Sequence, residues 1–335
     1  MKKIFGKCRG KDVFLYTLEN HNIQFSVSDY GATLVSLVYK SCHKDVVEGY
    51  DDVDGYISHD TYIGASIGRT ANRIEKGIFT LNGKTYHVPV NNNGNCNHGG
   101  IEGFDKKIYE TEESENAIIF HYTSLDGEEG YPGTLHVTVE YHLLENGISI
   151  ISKGQAEADT LFAYTNHSYF NLDESEDAMH HTLMIPADYY RPLDQTSLTL
   201  NRLVSVDNTP FDFRKEHAIQ DKIEENDIQL EYGAGYDHHY PIAGHGLRKM
   251  AVLKGKEIEM TMLSDFPGFH LYTANWLNGA IGKKGHLYPR RSAVCLEAEY
   301  CPNAVNYADM EEKPIVRCNE TLTHEIQYVF EKVSD

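Results

Sequence analysis

The chain has 335 residues and a formal net charge of −20, with 41% apolar and 24% charged residues. This length and composition make a folded protein with a sizeable core and exclude a disordered one. The acidic balance argues against nucleic acid or an anionic membrane as partner, since both are held mainly by Lys and Arg. No apolar run approaches the roughly 18 residues of a membrane span. The start, Met1 to Cys8, carries Lys2 and Lys3 without an apolar core and does not read as a secretory signal. Six cysteines, Cys8, Cys42, Cys96, Cys295, Cys301 and Cys318, form no Cys-x-x-Cys pair. Scattered thiols of this kind suit a reducing, cytoplasmic setting.

Taken in order, the chain reads as short strands. Residues 22–28 and 33–39 alternate apolar and polar around an Asp29-Tyr30-Gly31-Ala32 turn. Residues 51–60 are acidic and read as a loop or short helix. Residues 62–79 hold three glycines together with Arg69 and Arg73, but their spacing fits neither the dinucleotide nor the Walker phosphate loop. The Asn82-Gly83 pair between β-formers predicts a hairpin over 79–86. Residues 91–100 form a polar loop carrying His98.

Residues 117–123, 137–143 and 148–152 read as strands, the last two joined at Glu145-Asn146-Gly147 as the clearest antiparallel hairpin. The apolar run 161–164 reads as a strand end belonging to that same sheet. It leads into Thr165 to Leu172, Thr-Asn-His-Ser-Tyr-Phe-Asn-Leu, which sets Asn166, His167, Ser168, Tyr169 and Asn171 within six positions. A turn alone does not call for an imidazole and a phenol among its polar groups. Residues 182–185, 250–253, 257–262, 268–273, 293–296 and 325–333 continue the strand pattern. Only 215–223 looks helical, and 233–240 reads as a polar loop centred on Asp237. With no βαβ alternation, heptad or internal repeat, the expectation is an all-β chain. It would form one domain over 1–335, a large antiparallel β-sandwich of two sheets packed face to face, with few short helices.

Polar residues at strand ends are where such a scaffold carries chemistry. The candidates are Asn72 and Arg73, His98, His167, Asp237, and Glu297 at the end of an apolar strand before a Pro-Asn turn. A carboxylate there is costly to desolvate unless something uses or pairs it. Glu299 shares its strand phase and is the rival.

The motifs Asn-Arg-Ile-x-x-Gly-x-Phe from Asn72, His-Gly-Gly from His98, Thr165 to Leu172, and Leu296-Glu297 followed by Pro-x-Ala-Val-Asn occur here in one order. Together with Tyr236-Asp237-His238-His239 they resemble the aldose 1-epimerases, or galactose mutarotases, from about Gly31 to Asn306. The resemblance implies one β-sandwich with a sugar cleft on one sheet. It also implies Glu297 as base, His167 as acid, and Arg73, His98 and Asp237 on the sugar oxygens with Asn72 beside them. A departure is Glu-Ala-Glu-Tyr-Cys-Pro-Asn after Leu296, where many relatives have Glu-Thr-Gln and Pro-Asp; it touches substrate preference and not the base.

The expected reaction is interconversion of α and β anomers of free hexoses such as D-galactose and D-glucose. It needs no cofactor, and its only partner is the sugar; a monomer and a homodimer both remain open. Three rivals are weighed with it. A hexose-6-phosphate 1-epimerase would want Arg69, Lys76 and Arg73 clustered at the cleft. A glycosidase would pair Glu297 with Asp237. A non-catalytic carbohydrate-binding protein would use tyrosines and the single Trp276. No metal is expected, because the adjacent pairs His180-His181 and His238-His239 point to opposite faces of a strand.

Overall fold

The computed structural model describes residues 1–333. One layer is a nine-stranded antiparallel sheet. Its strands run in the order Glu110–Glu113, Ala117–Ser124, Leu135–Leu144, Gly147–Ala156, Thr321–Lys332, Ile258–Ser264, Arg248–Lys254, Thr182–Met184 and His217–Ala218. The other layer is built from two pieces. Lys2–Cys8, Lys11–Glu19, Ile23–Ser28, Thr33–Tyr39 and Lys44–Asp45 form a five-stranded sheet. Tyr169–Phe170, Val294–Glu299, Gly268–Tyr272 and Asp237–Pro241 form a four-stranded one. A bridge between Val47 and Phe170 joins them edge to edge. The Glu48 N–H donates to Tyr169 O at 2.9 Å and the Asn171 N–H to Val46 O at 3.0 Å across the same junction.

The two layers close on one core. Phe25 and Leu34 from the five-stranded piece, Phe170, Leu271 and Leu296 from the four-stranded piece, and Ile118, Val139, Ile150, Met260 and Tyr328 from the facing sheet pack in a single buried cluster. Each such side chain contributes about 1.5–3 kcal/mol on burial, which outweighs the weak intrinsic preference of any one short strand. The large antiparallel sandwich expected from alternation is therefore present. The described residues contain two α-helices, Val53–Ser58 and Ile228–Gly233, each six residues long and each capped by an aspartate, Asp52 and Asp227. No helix among the described residues is long and apolar enough to cross a membrane.

Three local expectations are corrected. Residues 161–164 do not join the 117–152 sheet. The free edge of Gly147–Ala156 is taken by the C-terminal strand Thr321–Lys332, so Thr160–Leu161 pairs with Ile315–Val316 and Thr165–Asn166 with Ser66–Ile67. Residues 215–223 are not an α-helix. His217–Ala218 is a sheet-edge strand and Ile219–Asp221 a single 3-10 turn, with Ile219 buried. Asp237 does not sit in a loop; it opens the strand Asp237–Pro241. That strand is buried on both faces, so its polar residues record a cleft and not solvent.

Candidate active site

The four-stranded sheet has two faces of opposite character, as the two-residue period of a strand requires. Val294, Leu296 and Ala298 enter the core, as do Phe269 and Leu271. The alternate residues face the other way. Cross-strand register then places His270 opposite Glu297 and His239 opposite His270, with Asp237 opposite Tyr272 and Gly268 opposite Glu299. The result is a row of titratable groups on adjacent strands.

Thr165 to Leu172 brings the next group over this row. His167 N–H donates to Ala65 O, and the Gly64 N–H to His167 O, both at 2.9 Å. Asn166 and Ser168 turn away and brace the segment. Asn166 Nδ2 donates to Gly64 O and to the Tyr141 hydroxyl, both at 3.1 Å, and Asn166 Oδ1 accepts from Ser168 Oγ. His167 is left facing the cleft between two phenol rings, stacked at 5.1 Å on Tyr169 and at 6.1 Å on Tyr62.

His167 Nε2 lies 3.5 Å from Glu297 Oε2, and both side chains are buried. Burial pushes the Glu297 carboxyl well above its usual range; the charge of Asp237 adds to this and Arg73 opposes it. Burial pushes His167 down, to about 3, with the charge of His270 also lowering it and Asp237 opposing. Both directions have one physical cause, the penalty for a charge in a dry site. The neutral imidazole with a neutral carboxyl holds the same number of protons as imidazolium with carboxylate. The pair therefore carries one mobile proton.

Asn72 and His98 are linked from two loops. The Asn72 N–H donates to His98 Nδ1 and the His98 N–H to Asn72 O, both at 3.2 Å. Both residues adopt positive φ, 58° and 51°, a conformation that costs non-glycine residues energy and persists where the surroundings impose it. Because Nδ1 accepts, the proton of the neutral ring sits on Nε2. Burial together with the positive charges around it holds His98 well below its usual range.

Arg73 directs Nε to Asn92 Oδ1 at 3.1 Å and has no carboxylate within 4 Å among the described residues, so its charge is uncommitted. Asp237 accepts from His270 Nε2 at 2.8 Å. Burial alone would raise its carboxyl, but the His270 hydrogen bond and the positive charge around it win and hold the group below its ordinary value.

These side chains line one cleft of about 330 Å³, with Asn72, Arg73, His98, His167, Asp237 and Glu297 all on its wall. Every site residue selected from sequence is thus brought together. Glu299 is not on that wall; it lies behind, where Asn72 Nδ2 reaches its Oε1 at 3.4 Å. A larger cavity, about 460 Å³, lies between Val47, Lys283 and Tyr288 and holds none of the selected groups.

Sequence reasoning missed His270, Tyr62 and Tyr272, which line the same cleft. His270 shares strand phase with Tyr272, but only the register to Glu297 reveals its position. Tyr62 carries no signal beyond following Thr61 in a loop. Of the rival phosphate-binding cations, Arg69 is buried away from the cleft, bonded to Ser124, Thr160 and the Pro132 and Leu125 carbonyls. Lys76 pairs with Glu75 on the surface. Among the described residues Arg73 is the one Lys or Arg on the cleft wall.

A family model described as aldose 1-epimerase matches residues 15–329. The chain is 35% identical to the galactose mutarotase of Rattus norvegicus over 318 residues, 91% of each chain. It is 35% identical to the aldose 1-epimerase of Haemophilus influenzae over 308 residues, 89% of each. Among solved structures it is similar to the galactose 1-epimerase of Lactobacillus acidophilus, with TM-score 0.89 and 25% identity over 100% of this chain and 99% of that one. An aldose epimerase homologue from C. elegans gives TM-score 0.89 and 26% identity over 96% and 99%.

Proposed function

The chain belongs to the aldose 1-epimerase family, a family of isomerases, and on that premise we propose that it interconverts the α and β anomers of free hexoses such as D-galactose and D-glucose. Glu297 is the base and His167 the acid. The observation that carries this reading is the buried Glu297–His167 pair, 3.5 Å apart in a cleft whose one guanidinium is unspent.

Glu297 takes the proton from the C1 hydroxyl while His167 gives one to the ring oxygen. The C1–O5 bond breaks and C1 becomes an aldehyde. Rotation about C1–C2 turns its other face to the ring hydroxyl, and the same two groups run the step backwards. The proton count of the pair is unchanged: ring opening moves its proton from imidazole to carboxyl, and closure returns it. Base and acid each supply about 10²–10⁴-fold, or roughly 3–5 kcal/mol. His98 Nε2–H and Arg73 stabilise negative charge on the sugar oxygens, Asn72 stands beside them, and Asp237 accepts from a sugar hydroxyl.

A free hexose is favoured over a hexose phosphate because Arg69 and Lys76 stand away from the cleft, leaving Arg73 alone. Residues from Tyr16 to Phe330 share the main core cluster, which supports reading the chain as one domain.

Polarimetry on freshly dissolved α-D-galactose and α-D-glucose tests the proposal, with Glu297→Gln and His167→Ala alongside the wild type. The wild type should speed the decay of rotation and neither variant should do so appreciably. A wild type that leaves both sugars at their spontaneous rates would overturn the substrate assignment. A fully active Glu297→Gln would overturn the base.

A further inference from the structure

Beside the cleft lies a second cluster, which shares His270 with the cleft wall and to which the proposed reaction assigns no acid, base or sugar contact. Glu299, His239 and His270 stand on three adjacent strands and share one sheet face. The residue opposite Glu299 is Gly268. A Cβ at that position would come within 2.7 Å of His239 Nε2 and 2.9 Å of its Cε1. The missing side chain lets the other three converge.

Glu299 Oε1 lies 3.7 Å from His270 Nδ1 and 3.9 Å from His239 Nδ1. One donor atom from each residue lies within 4.8 Å of the others, and none of the three residues is more than 1% exposed. His239 Nδ1, His270 Nδ1 and Glu299 Oε2 find no hydrogen-bond partner among the described residues. Buried polar atoms are normally paired, and leaving one unpaired costs about 1–3 kcal/mol. The separations are too long for hydrogen bonds. They approach what a shared ion imposes, since donors about 2.0–2.2 Å from one ion, at tetrahedral to trigonal angles, lie roughly 3.3–3.8 Å apart.

We propose that Glu299, His239 and His270 bind one divalent transition-metal ion, zinc by preference, through the two Nδ1 atoms and the carboxylate, with water completing the shell. Two imidazoles and a carboxylate are a zinc-type donor set, whereas calcium and magnesium take oxygen donors. The outer shell fits as well. His270 Nε2–H donates to Asp237 at 2.8 Å, which fixes the tautomer and leaves Nδ1 as the ligand atom. Charge points the same way: Asp237, Glu297 and Glu299 crowd three carboxylates together, with Arg73 and Arg191 as nearby cations. His239 also lines a surface cavity of about 370 Å³ with Arg191 and Cys301, which gives an ion a route in. Adjacent histidines do diverge here, His238 into the core and His239 toward Glu299. The ligands come instead from three strands, which no spacing motif records. The site would stiffen Asp237 through His270, and it stands independently of the anomer chemistry.

The test is calorimetric titration of the chelator-treated full chain with zinc chloride, followed by cobalt(II) as an optical reporter. The wild type should bind about one zinc per chain, and its cobalt form should show the visible absorption of a four-coordinate nitrogen–oxygen site. Glu299→Gln, which preserves shape, and His239→Gln should each abolish both signals while thermal melting shows them folded. Asp237→Asn should weaken zinc about 10–100-fold, as loss of an outer-shell partner does. His180→Gln, in the separate Asp173–His180–His181 cluster, should change nothing. No zinc uptake by the wild type, or an equivalent retained by Glu299→Gln, overturns the proposal.

Discussion

The two faces of the four-stranded sheet are built from the same strands and are almost equally buried, yet they differ in how their polar atoms are satisfied. On the core face the polar side chains are met: His238 accepts from the Asp237 N–H at 3.1 Å and lies 3.4 Å from Gln229 Oε1, and the Tyr240 hydroxyl donates to Phe211 O at 3.2 Å. On the cleft face His239, His270, Glu297 and Glu299 each keep an atom without a partner among the described residues. Within this sheet, burial alone therefore does not tell the two faces apart; unmet hydrogen-bonding capacity does. A folded chain tolerates such a face where a ligand or substrate supplies the missing partners. The core face of the same strands provides the stability that permits it.

The largest expected effect falls on the cleft face. Glu297→Gln should cut turnover about 10²–10⁴-fold while sugar binding and the urea midpoint stay near wild type. A large loss of stability with activity intact would reverse the comparison. On the opposite face, one residue away, Leu296→Ala should cost about 2–5 kcal/mol of stability, with turnover per folded molecule little changed; urea titration and polarimetry on one preparation separate the two.

Histidine burial provides a third contrast. His167 is held down to about 3 beside the cleft. His181, away from it, accepts from the Leu172 N–H at 3.0 Å and is pushed down to about 4 by burial, against the pull of Asp173. A depressed folded-state value means that the contribution of His181 is present above its unfolded value near 6.5. It is lost as pH falls toward 4, a loss on the order of 3 kcal/mol. Urea midpoints between pH 7 and 4 should fall, and His181→Asn should flatten that fall. An unchanged slope would remove His181 from the acid response. The smallest effect belongs to the periphery: Asp52→Ala removes the cap on the Val53–Ser58 helix and should cost about 0.5–2 kcal/mol without touching turnover.

Much of this arrangement was legible in the chain. Alternation marked most of the long strands, the Asn-Gly hairpin stands at 82–83, and each chosen site residue lines one cleft. The lapses share a cause. Residues 161–164 looked like a sheet strand because they are apolar, but partner choice depends on which edge is free, and the last strand of the chain occupied it. Asp237 looked like a loop residue because it is polar, but a polar residue on a doubly buried strand signals a cleft whose far wall comes from elsewhere. His270 stayed hidden because its role depends on register alone.

By itself the sequence determined the β alternation, the chemical inventory of the site, and the phase that puts Glu297 and Glu299 on one face, because side-chain direction on a strand is a local property with a period of two. Only the tertiary structure gave those two glutamates different surroundings, Glu297 on the cleft wall and Glu299 off it. His167 and the Asn72–His98 loops arrive from other parts of the chain and close around Glu297. Glu299 is left in the gap over Gly268, between two imidazoles. Contacts of that kind are set by packing between distant segments, which local pattern does not encode.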